Sequence, residues 1–266
     1  MIKLLVRLVL IFISVIVIFS TARAADDYKL GAGDVIKITV FDYPELSTEV
    51  RVSESGTIMF PMLGQIVVGG LSFDEASNLI AARLDREGFI RHASVSVLVS
   101  QFNSQQVSVI GQVNKPGKYP LDKASTFVDL LAMAEGIDET GGDKAIIIRP
   151  GKDGQIESRT EIDLYAFFQG NAPKHINVQN GDTIFIPRAD VFYIYGEVQH
   201  PGMLKLERNM TVLHAISAAG GLTPKGTENG VKLKRQDEHG EMQTFDVESG
   251  DRVKPNDILY VRESWF

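Results

Sequence analysis

Between residues 94 and 100 serines alternate with valines, Ser94, Ser96 and Ser100 against Val95, Val97 and Val99, and this two-residue period predicts a half-buried strand. A helical period precedes it. Ala76, Leu79, Ile80 and Leu84 fall on one face, Ser72 stands as N-cap with Glu75 as capping-box partner, Leu71 and Ala76 are placed as a hydrophobic staple, and Gly88 is the stop. Short β-type runs separated by glycine turns lie upstream, from Val50 through Gly56 and Pro61 to Gly64. The first residues follow neither period. Lys3 and Arg7 lead into an apolar run from Leu8 to Phe19, broken only by Ser14, and then into Ala22-Arg23-Ala24, a small-x-small cleavage pattern. A spanning helix needs about 20 apolar residues, and this run is shorter. The pattern therefore predicts a secretory signal peptide at 1–24 and a chain that works outside the cytoplasm from Ala25 onward.

Self-similarity organises the remainder. Residues 107–138 laid on 192–223, an offset of 85, agree at 8 of 32 positions: Gly111/Gly196, Val113/Val198, Pro116/Pro201, Gly117/Gly202, Leu121/Leu206, Thr126/Thr211, Ala134/Ala219 and Gly136/Gly221. Agreement at a fixed offset marks an internal repeat. In each copy a β-type run, Val107 to Ile110 or Phe192 to Tyr195, reaches a glycine, and a Pro-Gly pair then turns the chain into a second strand. A type II turn at that pair places Gly117 and Gly202 at positive φ. Thr126 and Thr211 next cap apolar helices, Phe127 to Ala134 and Val212 to Ala219, closed by Gly136 and by Gly220-Gly221. Asp129 completes a variant capping box in the first copy. His214 holds that place in the second, where the box is expected to be lost.

Each copy ends in a strand announced by a polar turn, Asn180-Gly181-Asp182 or Pro255-Asn256-Asp257, and Gly33-Asp34 carries the same signature near Ala25. Glycine supplies positive φ and aspartate an acceptor for its own turn, so chain reversal is the expected role. The step from Asp182 to Asp257 is 75, ten short of the repeat offset, and the surplus in the first copy falls around Tyr165 to Lys174, where an extra turn or exposed loop is expected. The organisation predicted is α+β: three small domains in series at 25–104, 105–190 and 191–266.

Composition then removes chemistry. The chain has no cysteine, which excludes disulfides, thiolate metal sites, cysteine nucleophiles and acylation at an N-terminal cysteine. Its net charge is −7, and loss of Lys3, Arg7 and Arg23 with the leader makes it −10; with no lysine or arginine block, no nucleic-acid partner is expected. The stretch from Gly111 to Lys118 misses the phosphate-loop spacing, Gly31-Ala32-Gly33 leads into a strand rather than a helix, and no nucleophile elbow occurs. His92, His175, His200, His214 and His239 are dispersed. Asp42 with Glu45, and Asp237 with Glu238, read as solvated turn residues rather than as a sugar-cleaving acid pair. No catalytic residue, cofactor or metal site is expected. Phe41, Tyr43, Phe60, Phe185, Phe192, Tyr193 and Tyr195 sit on strands, where core packing is the default and a sugar-stacking platform also fits.

The succession of a secretory leader, Gly33-Asp34, the Gly56 to Gly64 run with Pro61, Gly70 to Ala76, and two Gly-x-Val-x-x-Pro-Gly repeats resembles the bacterial outer-membrane polysaccharide export family, whose members include Wza-like proteins. The resemblance covers nearly all of the chain after the leader. It implies a polysaccharide export domain at 25–104 followed by two soluble-ligand-binding β-grasp (SLBB) domains at 105–190 and 191–266. It also implies a homo-oligomeric ring in the periplasm, an octamer being the candidate stoichiometry, around a hydrophilic passage for an exported polysaccharide. The partners it implies are an inner-membrane co-polymerase or tyrosine kinase and, because only five residues follow Val261, a separate outer-membrane β-barrel. Trp265 and Phe266 then touch that barrel or the membrane, or pack back on the last domain. Gly33, Asp34, Gly56, Pro61, Gly64, Gly111, Pro116, Gly117, Gly181, Asp182, Gly196, Pro201, Gly202, Asn256 and Asp257 are expected to be structural motif residues.

Overall fold

The computed structural model describes residues 28–122, 125–151, 155–171 and 176–264; the expected leader, His175, Trp265 and Phe266 lie outside them. The described residues group into two compact units. The first holds the chain up to Val107 with 119–127 and 177–181, and the second holds the rest of the first repeat with the whole of the second repeat.

The leading region contains strands β1 (Val35–Val40), β2 (Thr48–Arg51), β3 (Thr57–Phe60), β4 (Gly64–Val67) and β5 (Val95–Gln101) with helix α1 (Phe73–Arg86). β1 lies between β2 and β5, antiparallel to both, while β3 and β4 form a hairpin of their own. The alternation in β1 turns Ile36, Ile38 and Val40 inward, where Ile58, Phe60 and Ile66 from the hairpin join them. Ala76, Ile80 and Leu84, one turn apart on α1, close this core. The capping box is made as expected: Glu75 N donates to Ser72 Oγ, and Ser72 N donates to Glu75 Oε2 at 2.7 Å. Leu71 packs against the core.

The two repeats share one plan. The first runs β6 (Gln106–Gly111), β7 (Gly117–Pro120), α2 (Phe127–Met133), β8 (Lys144–Pro150), β9 (Ile156–Asp163), α3 (Leu164–Phe168) and β10 (Thr183–Ile186). The second runs β11 (Val191–Gly196), β12 (Gly202–Lys205), α4 (Val212–Ala218), β13 (Val231–Gln236), β14 (Met242–Val247) and β15 (Ile258–Val261). Their sheets have corresponding orders, β7-β6-β10-β8-β9 and β12-β11-β15-β13-β14. In each, the last strand enters parallel to the first (β10 on β6, β15 on β11) and antiparallel to the third (β10 on β8, β15 on β13). In the second repeat Phe192, Ile194, Leu233, Leu259 and Val261 on the inner sheet face pack with Val212, Ala215 and Ile216 of α4.

Two expectations are corrected. The capping box of α4 is not lost, because His214 Nδ1 is an acceptor: Thr211 N donates to it, and His214 N donates to Thr211 Oγ1, both at 3.4 Å. The type II turn is made in neither copy, since Gly117 has no positive φ and Gly202, at φ +154°, is far from the about +80° that turn needs; each is already the first residue of an edge strand, β7 or β12, and a Cβ at either meets nothing within 4 Å. The extra turn expected in the first copy is present as the short helix α3, for which Asp163 is N-cap through Ala166 N at 2.9 Å and on which Tyr165 and Phe168 are exposed.

Candidate functional site

Asp34, Asp182 and Asp257 each stand immediately before a strand, and all three are fully buried. The residue ahead of each has positive φ: Gly33 at +91°, Gly181 at +84° and Asn256 at +64°. Asparagine tolerates this region better than most side chains, which is why it can replace glycine there. The local turn is only part of what the carboxylates do. Asp34 accepts from Gly31 N within its own turn, and also from Tyr28 OH, Asn103 N, Ser104 N and Ser104 Oγ, all at 2.8–2.9 Å. It ties the start of β1 to the chain beyond β5 with neutral donors. Burial, reinforced by the carboxylate, pushes the Tyr28 hydroxyl up, so it remains a donor.

In the repeats an arginine does this work. Arg149 donates to Asp182 through Nε at 2.9 Å and Nη2 at 2.8 Å, and Arg235 donates to Asp257 through Nε at 2.7 Å and Nη2 at 2.6 Å. Bidentate pairing with a carboxylate raises both guanidinium groups above the usual arginine range. Arg149 and Arg235 were absent from the expected motif set. Their signal was present: in β13 Val231, Leu233 and Arg235 alternate onto one face, so a cation occupies an inward position of a core strand.

The remaining motif residues shape backbone. Gly111 and Gly196 have φ of +90° and +93°, and a Cβ at either would lie 2.1 Å from the carbonyl oxygen of Ile186 or Val261. Those carbonyls accept from Gln112 N and Glu197 N, so the chain crosses the end of the central strand where only glycine fits. Gly56, Pro61 and Gly64 frame the β3–β4 hairpin, and Pro116 and Pro201 lead into Gly117 and Gly202, the exposed first residues of β7 and β12. The motif residues thus do not converge on one point. Among the described residues no group of histidines and acids is placed to hold a metal, and no buried side-chain polar atom lacks a partner.

Two surfaces remain. A cleft of about 400 Å³ lies between the repeats, with Asp143, Arg188, Asp190, Lys205, Arg208 and Asn209 in its wall. The repeats are tied at its margin: Lys205 Nζ donates to Gly141 O at 2.9 Å, and Arg208 pairs with Asp163 at 2.6 Å while its guanidinium lies 5.0 Å from the centre of the Tyr165 ring. Arg208 and the bond from Ala166 N hold the Asp163 carboxyl below the usual aspartate range. The surplus segment of the first repeat therefore supplies a contact to the second.

The other surface is the outward face of the second sheet. Of the aromatics expected on strands, Phe60 and Phe192 are core and Phe185 is half-buried; Phe41 and Tyr43 lie exposed in the turn after β1, and Tyr193 and Tyr195 are exposed on β11, against the core-packing expectation. Tyr195 and Tyr260 pair across β11 and β15 with ring centres 4.9 Å apart and planes at 31°. Lys232, opposite Tyr260, forms an ion pair with Asp246, and that lysine with Arg262 keeps the Asp246 carboxyl below the usual range.

Comparison with known families orders these parts. The model of the polysaccharide biosynthesis/export protein family matches residues 22–100, and two models of the SLBB domain match 105–186 and 191–246. The chain thus carries a polysaccharide biosynthesis/export domain followed by two SLBB domains. It is similar to the EPS I polysaccharide export outer membrane protein EpsA of Ralstonia nicotianae, 28% identical over 278 aligned residues that cover 89% of this chain and 71% of the relative. The polysialic acid transport protein KpsD of Escherichia coli is 26% identical over 65% of this chain and 30% of its own length. The exopolysaccharide production protein ExoF of Rhizobium meliloti is 26% identical over 44% of this chain and 30% of its own length. None of the matched family models describes an enzyme. Among the described residues no helix is long and apolar enough to cross a membrane.

Proposed function

We propose that this chain is a periplasmic, ring-forming component of a bacterial capsular or exopolysaccharide export machine, giving the polymer a hydrophilic passage toward an outer-membrane pore. In this reading 25–104 is the export domain, 105–190 and 191–266 are the SLBB domains, and 1–24 is removed on secretion. The buried aspartate clasps and the Gly111 and Gly196 crossings keep each domain rigid; no residue acts as a catalyst. The partners called for are further copies of the chain, the polysaccharide, an inner-membrane co-polymerase or tyrosine kinase, and a separate outer-membrane β-barrel. The observation that carries the reading is the order of matches, one export domain then two SLBB domains, together with likeness to an export protein over 89% of the chain.

The cleft between the repeats favours a second reading, a periplasmic saccharide-binding module without a translocation role, because about 400 Å³ lies in the range of small-ligand sites. One experiment separates the two. Light scattering with particle imaging of the secreted protein is expected to show a large closed ring, and deletion of its gene to leave polymer inside the cell envelope. A monomer or dimer whose deletion leaves surface polymer unchanged would favour the binding module.

A further inference from the structure

The second repeat carries an outward sheet face whose chemistry folding does not require. Strand register places its members side by side: Met203 on β12 opposite Tyr193 on β11, Tyr195 opposite Tyr260 on β15, and Tyr260 opposite Lys232 on β13, with Lys234 next on the same side. Four adjacent strands span about 14 Å at the usual strand spacing. Tyr193, Tyr195, Tyr260 and Met203 are all at least 36% exposed. In the first repeat the same ladder positions of the corresponding strands hold Ile110, Phe185, Ile146 and Ile148 where the second holds Tyr195, Tyr260, Lys232 and Lys234. The duplicated frame is thus satisfied by apolar residues without a polar group, and the tyrosine hydroxyls and lysine ammonium groups are additions to it.

The composition of the face selects a ligand. The tilted pair of Tyr195 and Tyr260 offers aromatic surface to an apolar ring face, as a pyranose presents with its C–H groups, while the phenol hydroxyls remain free to hydrogen-bond. Lys232 and Lys234 stand beside it with one acid, Asp246, across the ladder from Lys232, although the chain as a whole carries −7. A local cationic excess on an acidic protein complements an anion, and ammonium groups favour carboxylates through charge-assisted hydrogen bonds. Lysine is depleted in protein–protein interface cores, which sets this face apart from a contact between copies. We propose that this face binds a segment of acidic polysaccharide, with sugar rings against Tyr195 and Tyr260 and carboxylates directed to Lys232 and Lys234. The proposal rests on the export reading and names the class of polymer that reading takes.

The test uses the full secreted chain, with oligogalacturonate as acidic probe and maltoheptaose as neutral one, measured by titration calorimetry. Oligogalacturonate binding is expected to weaken roughly tenfold in Tyr195→Thr with Tyr260→Thr, which keeps β-branched residues on the strands, and by a similar factor in Lys232→Gln with Lys234→Gln. Lys37→Gln with Lys118→Gln, an equal charge change elsewhere, is expected to leave binding unchanged, and maltoheptaose to bind more weakly than the acid and to ignore the lysine variant. Binding of neither probe by the wild type, or equal binding by all variants, overturns the proposal. So does a tyrosine variant that loses its oligomeric state in light scattering while each chain binds the acid as before, because the face is then an interface between copies. Export is read separately: a gene deletion that leaves export intact removes the export reading, whereas a deletion that blocks export, with a tyrosine variant that exports and binds normally, removes only this site.

Discussion

At the crossing of the central strand the first repeat has Gly111 over Ile186 and the second has Gly196 over Val261; at the clasp the first has Arg149 with Asp182 and the second Arg235 with Asp257. At the ladder positions that face outward in the second repeat the correspondence ends: that repeat holds Tyr195, Lys232 and Tyr260, where the first holds Ile110, Phe185 and the buried Ile146. The difference separates two kinds of constraint. A carbonyl 2.1 Å from a would-be Cβ, or a buried carboxylate, tolerates almost no replacement. An outward strand position tolerates many, so what stands there is free to be set by a partner or ligand.

The largest test of the shared frame is steric. Gly111→Val and Gly196→Val force a β-branched residue into positive φ against a carbonyl, and each is expected to lower stability by roughly 3 to 5 kcal/mol in urea unfolding. Gly117→Val, at the open start of edge strand β7, should stay within about 0.5 kcal/mol. If Gly117→Val were as damaging as Gly111→Val, the frame common to the repeats would have been drawn through the wrong glycines.

A middle-sized effect comes from the clasps. Asp182→Asn and Asp257→Asn each leave a guanidinium without its counter-ion, and about 2 to 3 kcal/mol is expected, less than for a fully buried pair because both arginine side chains remain 29% exposed. Matched losses in the two repeats would sharpen the comparison; a loss in one alone would break it. The smallest effect belongs to the outward face. Carboxyl NMR is expected to show Asp246 titrating below an ordinary aspartate and returning toward the usual range in Lys232→Gln. Since its folded pKa is depressed, the ion pair contributes above the unfolded value near 3.9 and is lost as pH falls through the folded one. An unshifted Asp246 in the wild type would remove the pair.

The repeat, its strand alternations, the Ser72 to Glu75 box and the glycine and aspartate turns were legible because each depends on residues within a few positions of one another or on a fixed offset. The clasps were half legible: Asp34, Asp182 and Asp257 stood out in their turns, while Tyr28, Ser104, Arg149 and Arg235 did not, since they meet the carboxylates only when distant strands are in register. His214 was misread for a related reason, because a cap depends on which ring nitrogen faces the backbone.

By itself, then, the sequence determined the elements, their duplication and their order, because periodicity, turn chemistry and self-similarity are local or translational properties of the chain. Tertiary structure alone decided that Tyr193, Tyr195 and Tyr260 face outward while Phe192 is buried, and that Asp163 of one repeat meets Arg208 of the next. An alternating strand carries two faces of equal standing. Only packing against α4 on one side makes the other the surface.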